Sequence, residues 1–274
     1  MFTLNTIFVV IDPTTDVQAA LVSATRIASQ NKEISVHVYE AVYSSGTNTD
    51  ADALQRVELA RHHAWVKSLT EPLEAAGNAV NIEIEWTADW RDAIAPAAKR
   101  AGADLIVKAA SARSGAGRRM LKTSDWTLLR NSHCPVYLIK KDELQSGIKV
   151  LVALDIARDD ELHTQLNDRV LEFGHALVDN IPENSLHAVN AYSTADNFVS
   201  PPDLAEKAGI ERTDAYTVDG APEKVIPEIA EQIGADIVIL GTAARAGIQG
   251  IVIGNTAEKI LDALNTNILT VNAE

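Results

Sequence analysis

A short passage near residue 102 returns near residue 234. Gly102-Ala103-Asp104-Leu105-Ile106 and Gly234-Ala235-Asp236-Ile237-Val238 stand 132 residues apart. Each follows an amphipathic helical stretch, Trp90–Ala101 or Ala221–Ile233, and each opens an apolar run. Two further correspondences keep the same order at other offsets. Asp12 and Asp155 both end an apolar strand pattern and stand 143 residues apart, and Val36–Ala41 matches Leu186–Ala191. A repeat this long is a duplicated domain and not a solenoid, whose units run to about 20–50 residues. The drifting offset places insertions in the connections between elements. The chain therefore divides into domains at 1–142 and 147–274, joined near Asp142–Gly147.

Within each half, apolar strand runs alternate with helical patterns. In the first, Ile7–Ile11, Ile34–Val42, Val80–Trp86, Asp104–Lys108 and Val136–Ile139 read as strands. Helices are expected over Val17–Ser29, Ala53–Ala76 (stopped by Gly77), Trp90–Ala101 and Asp125–Asn131. In the second, Lys149–Leu154 starts the series again. The predicted class is α/β, two tandem doubly wound parallel-sheet domains, with ligands at the carboxyl ends of the strands.

The stretch Ile237–Leu261 carries the clearest hint of chemistry. It reads as a buried strand, a glycine turn at Gly241, and a loop broken by Gly247 and Gly250. A second glycine turn, Gly254-Asn255-Thr256, then opens a helix. Free N–H groups and the positive end of the helix dipole favour a phosphate there.

Composition narrows the classes. With 46% hydrophobic and 23% charged residues the chain buries cores and is not disordered. No apolar run approaches the ~20 residues of a membrane helix, and the N-terminus lacks the basic start and small-residue cleavage site of a signal peptide. The single Cys134 cannot form an internal disulfide, which fits a reducing cytoplasm. Residues 1–146 hold 16 Lys+Arg against 17 Asp+Glu, a net −1; residues 147–274 hold 8 against 21, a net −13. That field excludes non-specific nucleic-acid binding by the second half.

Three features of the second half resemble a universal stress protein domain: Asp155 at the end of the first strand, Gly234–Gly241 as Gly-Ala-Asp-(apolar)₄-Gly, and Gly241-Thr242-Ala243-Ala244-Arg245-Ala246-Gly247. ATP-binding members of that family carry Gly, two residues, Gly, nine residues, Gly, then Ser or Thr. Those positions here are Gly241, Ala244, Gly254 and Asn255, with Thr256 next: the spacing is kept and two identities are not. In the first half the same positions hold Ala109, Ala112, Lys122 and Thr123. Ala109 and Lys122 are expected to resist left-handed turns, so no nucleotide is expected there. Val9–Pro13, Thr123–Arg130 and Cys134-Pro135-Val136 are similar to the tandem, E-type members of bacteria. The resemblance implies an adenine-nucleotide α-hydrolase-like fold and a non-catalytic role in stress response. It implies ATP with Mg as a regulatory ligand of the second domain, with weak ATPase activity left open. The implied contacts are Asp155, Ala188, Leu240, Gly241, Ala244, Arg245, Gly254, Asn255 and Thr256. It also implies pairing of the two domains within the chain, with a homodimer as a further option.

Several residues carry two readings. Asp155 faces the adenine or ribose, or caps the following helix; for Asp12 capping is the favoured role. Arg113, Arg118, Arg119 and Lys122 form either a solvated loop or a receptor for an anionic partner. Trp65, Trp86, Trp90 and Trp126, all in the first half, either pack or line a pocket for an apolar or anionic small molecule. His62 and His63 are adjacent and diverge on their helix, and His37 and His187 read as structural. There is no nucleophile elbow, Walker lysine, Cys-x-x-Cys or His-x-x-x-His, so no enzyme and no metal site is expected.

Overall fold

The computed structural model describes residues 3–43, 51–110, 121, 123–141, 147–179, 181–242 and 255–272. The first half runs β1 (Thr6–Val10), α1 (Ala19–Ser29), β2 (Ser35–Tyr43), α2 (Ala51–Ala75), β3 (Val80–Thr87), α3 (Trp90–Arg100), β4 (Leu105–Ala109), α4 (Thr123–Asn131) and β5 (Val136–Ile139). The second runs β6 (Lys149–Ala153), α5 (Glu161–Val178), β7 (Ser185–Tyr192), α6 (Pro201–Ala208), β8 (Ala215–Asp219), α7 (Pro222–Ile233), β9 (Ile237–Thr242), α8 (Asn255–Ala263) and β10 (Asn267–Asn272).

The chain forms two compact units. In one, β1 to β4 are joined in the order β3-β2-β1-β4, all parallel. In the other the order is β5-β10-β9-β6-β7-β8, parallel except that β5 runs antiparallel to β10. Strand β5, which closes the first half in sequence, thus belongs to the second unit. The middles of β1, β6 and β9 are apolar, as a sheet covered on both faces requires: Ile7–Val9, Val150–Val152 and Val238–Ile239 are wholly buried.

The repeated Gly-Ala-Asp passage has a structural meaning. Gly102 (φ 65°) and Gly234 (φ 66°) end α3 and α7 in the left-handed region, where a side chain would be strained. Asp104 then accepts hydrogen bonds from the backbone N–H groups of Asn5 (2.8 Å) and Thr6 (2.9 Å). Asp236 likewise accepts from Lys149 N–H at 2.9 Å. Each aspartate braces the start of the first strand in its half of the chain. The drifting offset arises in the helices and not, as expected from the sequence, in the connections. Helix α1 has 11 residues where α5 has 18, and α2 has 25 where α6 has 8.

Candidate functional site

In the second unit the chain winds from β6 through β7 to β8, then returns to lay β9 and β10 on the other side of β6. The direction of winding therefore reverses between β6 and β9. In an open parallel sheet this is where the connections diverge and leave a crevice at the strands' carboxyl ends. Asp155, just past β6, and Gly241–Thr242, the end of β9, stand at that point. The first unit repeats the arrangement between β1 and β4, with Asp12 and Ala109–Ala110 in the matching places.

Asp155 does not cap α5. The cap is Asp160, whose carboxylate accepts from His163 N–H at 3.1 Å. The backbone of Asp155 is held from both sides by Asn167, which accepts from its N–H and donates to its carbonyl, each at 3.0 Å. Its carboxylate is half-exposed and meets Arg158 at 3.4 Å. In the first unit Gln18 holds Asp12 in the same way, at 3.0 and 2.8 Å. Asp12 is not a helix cap either: its Oδ1 accepts from the N–H and hydroxyl of Thr14 and closes a local turn.

Gly241 corrects the sequence reading. It is a strand residue in β9, not a turn, and its φ is not positive. Glycine fits because Leu166 of α5 packs against it: a Cβ there would lie 3.3 Å from that side chain. By the same comparison Ala109 is an ordinary strand residue of β4, and no left-handed turn is demanded of it. Ala188 and Leu240 are buried. Ala188 lies mid-strand, paired to Val152 and Ala215. Asn255 and Thr256 are the first, exposed residues of α8. Ala244, Arg245, Gly254, Arg113, Arg118, Arg119 and Lys122 lie outside the described residues.

What occupies the first unit's switch point was not anticipated. Lys108 and Asp125, both buried, form an ion pair at 2.6 Å, and Lys108 also donates to Ala109 O at 3.0 Å. Asp125 lies in the first turn of α4, where a negative charge is favoured by the helix dipole. At the matching positions of the second unit stand Leu240 and Ala257. The first unit thus carries a fully buried, lysine-paired carboxylate in the opening turn of α4, where the opening turn of α8 carries Glu258, which is only partly buried. A polar residue in the apolar run Leu105–Ala109 was the available signal.

The carboxyl end of β2 holds a second buried charge. Glu40 is fully buried and its Oε1 meets His62 Nδ1 of α2 at 2.6 Å. Glu58 lies 3.9 Å from the same ring and pairs with Arg61. Burial pushes the Glu40 carboxyl above its ordinary value, with His62 and Arg61 pulling the other way. A carboxyl raised in the folded state stabilises the fold fully below its unfolded value, and that contribution is lost as pH rises through the folded value. Glu40→Gln keeps an acceptor for His62 and removes the loss. Its stability advantage over the wild type in urea unfolding should widen from pH 4 to pH 8, and a difference constant with pH would contradict this.

Among the described residues no group of three or more His, Cys, Asp or Glu could hold a metal ion. His37 stacks on Phe8 and meets Glu83 at 3.0 Å, and His187 meets Ser185 and Asp214. Cys134 is buried and its thiol is pushed up to about 12, chiefly by desolvation, which leaves it a poor nucleophile. The four tryptophans lie on α2, β3, α3 and α4. The described ring contacts join Trp65 to His62, Trp90 to Arg91 and Trp126 to Arg130, and none joins two tryptophans. No helix among the described residues is long and apolar enough to cross a membrane.

Comparison with known proteins adds an independent line. The family model described as "Universal stress protein family" matches residues 3–140 and again 149–272. "Universal stress protein E" of Escherichia coli K12 is 28% identical over 97% of this chain and 93% of its own length. The "Universal stress protein E homolog" of Haemophilus influenzae is 25% identical over 96% of each. Among solved structures, a putative universal stress protein from Pseudomonas aeruginosa UCBPP-PA14 superposes with a TM-score of 0.82 at 24% identity, covering 98% of this chain and 94% of that one. A universal stress protein from Archaeoglobus fulgidus gives 0.76 at 18% identity over 99% of each.

Proposed function

The chain belongs to the universal stress protein family, as a tandem member carrying two copies of its domain, and from this we propose that its second domain binds an adenine nucleotide with Mg as a regulatory ligand. The observation that carries the reading is Asp155. It stands at the switch point of the second sheet with its carboxylate half-exposed and free of helix capping, because Asp160 does that work. A carboxylate so placed accepts from nucleotide hydroxyl or amino groups, while the opening turn of α8 lies on the side where phosphates would sit. The acidic second half repels a bare triphosphate, so the nucleotide enters as its Mg complex.

The first domain does not share the role. The Lys108–Asp125 pair occupies the corresponding place with charges of its own. The protein acts without turnover: a ligand that prefers one conformation shifts the chain toward it and changes the surface offered to a partner. Its setting is the cytoplasm.

A thermal-shift titration tests this. Mg-ATP at 100 times its dissociation constant should add about 2.7 kcal/mol to stability, and Asp155→Ala should move the response to higher concentration. No shift at millimolar Mg-ATP would dismiss nucleotide binding.

A further inference from the structure

Asn190 lies near the carboxyl end of β7 and is 1% exposed. Its Nδ2 donates to Leu154 O at 3.1 Å. A carbonyl only accepts, so this bond fixes which end of the amide is which. The other end, Oδ1, is buried and has no hydrogen-bond partner among the described residues. Side chains alternate along a strand, so Asn190 shares a face of β7 with Leu186. That face lies under α5, since a Cβ on Gly174 would lie 2.9 Å from Leu186. Asn190 stands further toward the carboxyl end, beside the residue that precedes Asp155. Thr217, its register partner on β8, also has a buried hydroxyl with no partner among the described residues. A buried acceptor left unmet costs about 1–3 kcal/mol.

The first unit shows how the same position is otherwise satisfied. Leu154 N–H donates to Val189 O (3.0 Å) as Ile11 N–H donates to Tyr39 O (2.9 Å), so Asn190 corresponds to Glu40. There the protein supplies its own ring, His62, to Glu40 Oε1 at 2.6 Å, although Oε2 stays without a partner among the described residues. In the second unit no described side chain meets Asn190 Oδ1.

We propose that Asn190 is the base-reading residue of the second domain, its buried Oδ1 accepting from the 6-amino group of an adenine, while His62 fills the corresponding place in the first. This rests on the nucleotide reading above and adds its selectivity. The buried acceptor suits the base, the part of a nucleotide that gives up water most readily, and the half-exposed Asp155 suits the ribose. Hypoxanthine presents a carbonyl oxygen where adenine presents its amine, and two acceptors would then face each other.

Calorimetric titration of the full chain with Mg-ATP, Mg-ITP and Mg-2′-deoxy-ATP tests this. ITP should bind about 10- to 100-fold more weakly than ATP, the range an unmet buried acceptor implies. In Asn190→Leu the gap between ATP and ITP should close. The wild-type comparison stands whether or not that variant folds. Equal binding of ATP and ITP overturns the inference and leaves nucleotide binding intact, as would follow if an ordered water joined Asn190 to Thr217. A penalty with 2′-deoxy-ATP but none with ITP also overturns it, and leaves only the ribose contact of Asp155. Binding of none of the three overturns both readings together.

Discussion

Replacing Asp125 with alanine should lower the unfolding free energy by about 3–5 kcal/mol, because it strands the ammonium of Lys108 in the interior without its partner. The pair is 2.6 Å long, and the side chains of Lys108 and Asp125 are 8% and 0% exposed. Lys108→Leu should also be destabilising, by removing the cation that faces the buried carboxylate. The double variant Lys108→Leu/Asp125→Ala should recover most of the loss. Those are the residues the second half carries at the same positions, Leu240 and Ala257, and a buried ion pair exchanged for packed apolar groups is often neutral. Urea unfolding followed by tryptophan fluorescence reports on the right part, since all four tryptophans lie in the first half and Trp126 neighbours Asp125. Additive losses in the double variant would show that the two charges do not depend on each other. The cycle also bears on function. An internal carboxylate at the opening turn of α4 competes with any phosphate for the same helix end, so the pair is a physical reason to expect no nucleotide in the first domain.

Asn267→Ala should destabilise the second unit by about 2–3 kcal/mol, through donors left unmet. Asn267 is fully buried at the start of β10, and its Oδ1 accepts from the backbone N–H groups of Lys140 and Lys141, both at 2.8 Å. These are the residues just past β5. Lys140 in turn places its ammonium on the carbonyls of Leu261 (2.7 Å) and Leu264 (2.8 Å), closing the end of α8. The variant should show the loss in equilibrium unfolding and, more locally, faster amide exchange at Val136–Lys140 than elsewhere in the sheet. Unchanged protection in β5 would mean that the ladder to β10 suffices without this side chain.

Much of the architecture was legible in the chain. The strands are short apolar runs and the helices have helical periodicity. The Gly-Ala-Asp repeat marks helix ends where a left-handed residue is required and strand starts where a carboxylate braces the amides. Observed elements fall within a residue or two of the expected ones: Trp90–Arg100 for Trp90–Ala101, and Pro222–Ile233 for Ala221–Ile233. Gly241 was misread because a glycine after an apolar run has two explanations. One is a turn, and the other is the close approach of a helix 75 residues earlier in the chain. Only the second concerns Leu166, and nothing local announces it. Asp12 and Asp155 were placed at the right strand ends, but their duties depend on which neighbours reach them: Thr14 for one, and for the other a helix already capped by Asp160.

By itself, then, the sequence determined the duplication, the α/β class and the strand ends at which a site can form, because these follow from periodicity and from backbone demands met by nearby residues. The tertiary structure decided the rest. It placed β5 on β10, put Lys108 against Asp125 and His62 against Glu40, and left Asn190 Oδ1 without such a partner among the described residues. Each of these turns on whether a buried polar atom finds a complementary one. That depends on distances between residues far apart in the chain, which composition and spacing do not encode.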